Sequence, residues 1–146
     1  MRALLDVNVL IALLDAGHLH HRVATAWLAA HQRAGWASCP LTQNGCVRIM
    51  STPAYPNVQP AALVAQRLGA AVTDRTHEFW PDDLSLLDAD AVRWDRILGP
   101  RHVTDVYLLA LAVRRGGTFV SFDRSIDLAA VPGANARHYT VLGAPN

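Results

Sequence analysis

The chain has 146 residues, 51% of them apolar, and its 13 basic and 12 acidic residues leave a formal net charge of +1. That composition suits one domain with a substantial core, it excludes a disordered chain, and the charge balance gives no strong global field that favours nucleic acid. No apolar run approaches the ~20 residues of a membrane-spanning helix, and the first one lacks a small-residue cleavage pattern, so a cytoplasmic protein is expected.

All 13 basic residues are arginine, and Glu78 is the sole glutamate among the acids. Cys39 and Cys46 read as buried, reduced thiols rather than a disulfide, and they are too few for a thiolate zinc site without help from histidine.

Residues 2–5 predict a central strand and 7–14 the opening of a helix, broken by Asp15-Ala16-Gly17. Residues 18–34 have a helical period, with Val23, Ala26, Trp27 and Ala30 on one face and Gly35 as the stop. A short strand at 36–39 leads to Pro40, which opens a helix running to Met50. Three prolines and Asn57 make 51–60 a loop. A helix over 61–72, a third strand at 77–80 and an amphipathic helix over 86–98 follow. The run from His102 to Asp105 leads into an apolar helix over 106–113, with arginines and then two glycines as its C-terminal signal. Residues 118–122 form a buried strand ending at Asp123, and 138–142 a last strand. Alternating strands and helices predict an α/β fold, a central and mainly parallel sheet with helices on both faces, in one domain over 1–146.

Asp6 and Asn8 are the only polar residues in the run from Ala3 to Leu14. A carboxylate buried there is costly unless it is paired, hydrogen-bonded or metal-bound. Asp6 ends the first strand and Asp123 a later one, which aims both at the crevice beyond the carboxyl ends of a parallel sheet. Asp105 opens a helix, where partial positive charge favours an anion. Taken alone, Asp105 reads as a cap or first-turn acid and Asp123 as a turn residue. Taken together, three acids at matching junctions predict a site for Mg²⁺ or Mn²⁺, because converging carboxylates without a cation repel one another.

Leu4-Leu5-Asp6-Val7-Asn8-Val9-Leu10-Ile11, then Thr104-Asp105-Val106-Tyr107-Leu108-Leu109-Ala110, then Val120-Ser121-Phe122-Asp123 together resemble the PIN domain. The match is closest to the VapC-type toxins of bacterial type II toxin–antitoxin pairs. The resemblance implies a metal-dependent endoribonuclease that cleaves RNA, forms a homodimer and is inhibited by a cognate antitoxin. It implies Asp6, Asp105 and Asp123 as metal ligands, with Asn8 and Thr104 orienting them. The family places a glutamate on the helix after the second strand, where this chain has Thr42-Gln43-Asn44-Gly45. Asn44 or Gln43 is the candidate to offer a neutral carbonyl instead. The alternative reading is a PIN-like module that binds RNA or a protein partner without cutting it. Receiver domains and haloacid-dehalogenase-like phosphatases also place aspartates at strand ends, but both typically use a lysine, which this chain lacks.

The cluster of His18, His20 and His21, with His31 further along, reads as a solvated helix start, and His102 as a loop residue. Trp27, Trp36, Trp80 and Trp94 read as core or interface anchors. Arg93, Arg96, Arg101, Arg114 and Arg115 suit either RNA phosphates or solvated faces.

Overall fold

A computed structural model describes residues 1–143. Its sheet is built on β1 (Ala3–Leu5), paired in parallel with β2 (Trp36–Ser38) on one side and β4 (Thr118–Ser121) on the other. Outside these lie β3 (His77–Phe79) and β5 (Tyr139–Val141), giving the order β3-β2-β1-β4-β5 with every pairing parallel. The predicted mainly parallel sheet is therefore wholly parallel.

Side chains alternate across a strand, so an apolar strand with both faces covered buries every residue. In β1, Ala3 and Leu5 face a core layer with Val9, Leu10, Trp36, Met50 and Leu68, whereas Leu4 faces the opposite layer with Trp80, Leu108 and Phe119. The first layer is supplied by α1 (Val7–Leu14), α2 (His21–Ala30), α3 (Pro40–Met50) and α4 (Ala61–Ala71). The second is supplied mainly by α5 (Val103–Arg114), in which every residue from Val106 to Ala112 is buried. No helix among the described residues is long and apolar enough to cross a membrane.

The predicted C-terminal signal of α5 is a Schellman closure. Gly116 adopts a left-handed φ of 67°, its N–H donates to Val113 O, and the Gly117 N–H donates to Ala112 O at 2.8 Å. At Gly45 the need for glycine comes from packing. A Cβ there would stand 2.7 Å from Cγ2 of Val7, where α3 crosses α1 beside the first acid. The Gly45→Ala variant is expected to lose about 1–3 kcal/mol in denaturant unfolding, with part of it recovered when Val7 is also cut to alanine.

Two expectations are corrected. Residues 86–98 form no α-helix, only turns and a short 3₁₀ segment at Trp94–Arg96. Tertiary bonds hold this stretch instead, because the Arg93 N–H donates to Ala130 O at 2.8 Å and its guanidinium to Ala129 O at 2.7 Å. The helix expected over 18–34 is shorter and turned: α2 buries Ala24, while Val23, Ala26 and Ala30 are exposed. His18 accounts for the late start, since its Nδ1 accepts the His20 N–H at 3.0 Å and competes with helical bonding. Cys39 and Cys46 are both free and buried, and burial pushes their thiols up to about 11 and about 12.

Candidate functional site

Connections from β1 and β4 leave the sheet in opposite directions, so the crevice beyond their carboxyl ends is the topological switch point where α/β proteins bind ligands. A cavity of about 410 Å³ opens there, and its lining includes Asp6, Asn8, Asp105 and Asp123 together with His18 and Tyr55.

Asp6 follows β1 and caps α1. Its Oδ1 accepts the Val7 N–H at 2.7 Å, and its Oδ2 accepts the Ser121 hydroxyl at 2.6 Å across the β1–β4 pair. The residue is only 6% exposed, so both bonds hold the carboxylate in one orientation. Burial raises its pKa, the two hydrogen bonds counter this, and the charge of Asp123 adds to the rise.

Asp123 stands two residues beyond β4. The hydroxyl and N–H of Ser125 both donate to its Oδ1, and the hydroxyl bond leads in keeping its pKa below the usual carboxylate value. Asp105 sits in the first turn of α5 and receives no such support. Burial, then the charges of Asp6 and Asp123, push it up to about 7. Asp105 and Asp123 are close enough to share a proton, so without a cation the pair keeps that proton near neutral pH.

This has a thermodynamic consequence. Unfolded, Asp105 titrates near 3.8; folded and metal-free, it titrates near 7. The folded state binds more protons in between, so its stability falls as pH rises. In EDTA the thermal midpoint is expected to drop between about pH 4 and pH 7, a slope that Asp105→Asn flattens. The lowered group Asp123 titrates below this window and does not mask the trend.

Ligand atoms of His102, Asp105 and Asp123 lie within 4.8 Å of one another, a spacing that suits a divalent cation, while Asp6 lines the same crevice outside that group. Besides three carboxylates, two buried atoms have no hydrogen-bond partner among the described residues, Asn8 Oδ1 and His102 Nδ1. Asn8 is oriented by its own amide, whose Nδ2 lies 3.4 Å from the Ser121 hydroxyl. One serine thus steadies both polar residues of the first motif.

Other expected site residues lie elsewhere. Thr104 is exposed and lines a separate groove with Leu41, Asp82 and Tyr107, since one residue before Asp105 means about 100° of rotation on the helix. Asn44 is exposed on α3, and the Gln43 amide donates to Ser38 at 3.0 Å while lining a different cavity between α3 and α4. Glu78 is structural: it accepts the Trp80 indole N–H at 2.8 Å and pairs with Arg2 at 3.2 Å. Arg115 is tied to Asp83 at 2.9 Å. Sequence reasoning missed His18 and Tyr55 in the crevice wall. Tyr55 is placed there by its hydrogen bond to Asp15, which also accepts the Asn57 amide and the Gly17 N–H at 3.0 Å each. Proline spacing marks that loop, but nothing in the sequence says where it folds back.

An all-parallel α/β domain with aspartates after its two central strands and a third on the facing helix has the architecture of the PIN domain. The PIN domain family model matches residues 3–132, and the chain belongs to that family. Its relatives within the family are more particular. Ribonuclease VapC44 of Mycobacterium tuberculosis is 51% identical over 142 residues, covering 97% of this chain and 100% of that one. Ribonuclease VapC39 of the same organism is 44% identical over 135 residues, covering 91% and 96%. The fold also matches a crystal structure of VapBC2 from Rickettsia felis bound to a DNA fragment from their promoter. That match has a TM-score of 0.57 at 12% identity and covers 84% of this chain and 89% of that one.

Proposed function

We propose that this chain is the toxin of a toxin–antitoxin pair, an endoribonuclease that hydrolyses RNA phosphodiesters with Mg²⁺ or Mn²⁺ and is silenced by a cognate antitoxin. The observation that carries this reading is the convergence of Asp6, Asp105 and Asp123 on one crevice at the switch point, with Asp105 pushed up to about 7. Similarity to VapC44 and VapC39, both named as ribonucleases, supports it.

Asp6, Asp105 and Asp123 would hold the cation. When bound, it supplies Lewis-acid polarisation of the scissile phosphate and acidifies the attacking water. Asp6 serves as the rigid anchor, because both its oxygens are already oriented by Val7 and Ser121. Asp105 gives up its shared proton and becomes available as a ligand. Asn8, which lines the crevice, has an Oδ1 without a partner among the described residues. His18 and Tyr55 line the same crevice and would meet a bound RNA backbone there.

Partners follow from the same reading: RNA as substrate, an antitoxin covering the crevice, and a second copy of this chain. Leu87, Trp94 and Leu98 leave large apolar side chains exposed that a second copy would cover, and sedimentation of the purified chain should report a dimer. A module that binds RNA without cutting it has one observation in its favour, that α3 brings no carboxylate to the crevice.

Total cellular RNA incubated with the chain decides between them. Discrete fragments in Mn²⁺ or Mg²⁺, absent in EDTA and with Asp6→Asn, are expected. Asparagine retains a capping oxygen for α1, so loss of cleavage would report the charge and not the helix. Intact RNA under every condition, with the fold preserved, would establish the non-cleaving reading.

A further inference from the structure

His102 ends the 3₁₀ turn at Pro100–His102 and stands at the N-terminal boundary of α5, one turn before Asp105. Histidine in that position can cap a helix, but this one makes no capping hydrogen bond. Its ring instead reaches the crevice. One ring nitrogen of His102, one oxygen of Asp105 and one of Asp123 all lie within 4.8 Å of one another. No ion pair joins the imidazole to either carboxylate among the described residues, and Nδ1 is buried without a hydrogen-bond partner.

An imidazole that approaches two carboxylates normally donates to one of them. Here the three donors stand around a common point without bonding through the ring. Ligand atoms on opposite sides of a small divalent cation are about 4.2 Å apart, twice a metal–oxygen bond. Separations of up to 4.8 Å let one ion bridge the three residues with small side-chain adjustments, and a buried imidazole nitrogen without a protein partner is the type of atom an ion would satisfy.

We infer that His102 is a nitrogen ligand of the cation held by Asp105 and Asp123, and that it biases the site toward Mn²⁺ over Mg²⁺. This rests on the cation site described under the proposed function. The bias follows from ligand chemistry, since imidazole suits transition metals whereas Mg²⁺ demands oxygen donors and retains its water. His18, the other histidine at the crevice, is a poorer ligand because its Nδ1 already accepts the His20 N–H at 3.0 Å. Pro100, at the first position of the preceding 3₁₀ turn, restricts the backbone that carries His102.

The test is pulsed electron paramagnetic resonance of Mn²⁺ added to the full chain, which reads directly coordinated nitrogen without any turnover. Wild-type protein should show a ¹⁴N modulation that changes to the ¹⁵N pattern when the histidines are isotopically labelled. The modulation should persist in His18→Ala and vanish in His102→Ala. Titrations should show Mn²⁺ affinity falling about tenfold or more in His102→Ala, with Mg²⁺ affinity affected less. His102→Asp, which gives an all-oxygen set, should shift the preference toward Mg²⁺. Bound Mn²⁺ without nitrogen coupling, or coupling lost only in His18→Ala, would overturn the inference and leave the carboxylate site standing. Failure of wild-type chain to bind Mn²⁺ at all would overturn both.

Discussion

The Asp105→Asn variant is expected to be the more heat-stable protein in EDTA at pH 7.5 and a far poorer nuclease in Mn²⁺. Both effects have one cause. Burial and two neighbouring carboxylates push Asp105 up to about 7, so above that pH the metal-free fold carries an ionised group it does not stabilise. Asparagine removes the charge at nearly constant shape, and the thermal midpoint in EDTA should rise. The same substitution leaves the crevice with two carboxylates, and cleavage should fall by at least about a hundredfold, the scale of losing one preorganised electrostatic group. Differential scanning calorimetry and a single-turnover cleavage assay would measure the two effects on the same preparation. A variant that loses both stability and activity would mean that Asp105 is a structural residue.

Asp15→Ala is expected to be the most damaging substitution of an acid outside the crevice. Asp15 is 5% exposed and follows α1, where it accepts hydrogen bonds from Tyr55, Asn57 and Gly17. Burial works to raise its pKa, but the bonds from Tyr55, Asn57 and Gly17 outweigh it and hold the group below the usual value. Alanine strips three donors of their acceptor, a loss of about 2–3 kcal/mol at neutral pH once water has re-solvated the exposed parts. The sign with pH is opposite to that of Asp105. A lowered folded pKa contributes stability above the unfolded value of 3.8 and loses it as pH falls through the folded one. The gap between wild type and Asp15→Ala should therefore narrow below about pH 4 in urea melts. Tyr55 belongs to the crevice wall, so cleavage should weaken too, chiefly through KM.

What could be read in advance follows from how local each signal is. The run from Ala3 to Leu14 shows a buried strand and helix with polar residues at their junction, and the structure places β1, Asp6 and α1 there. The two glycines after α5 are local chemistry as well, and their N–H groups close the helix as expected. Residues 86–98 misled because their apolar spacing is helical while their backbone bonds are tertiary, running from Arg93 to Ala129 and Ala130. Thr104 misled for a similar reason, since adjacency to Asp105 in sequence puts it on a different face of α5. Tyr55 and His18 could not have been placed, because loops bring them to the crevice. His102 reads as a loop residue, although it lies one turn before Asp105, a spacing that carries it to the same acids.

The most direct measurement is the anomalous scattering of Mn²⁺ in crystals of this chain. A peak within bonding distance of Asp105 and Asp123, with Asp6 bonded directly or through one water, is the predicted result. A crevice without a peak at millimolar Mn²⁺, in crystals where all three carboxylates are ordered, would contradict the assignment of these acids as a metal centre.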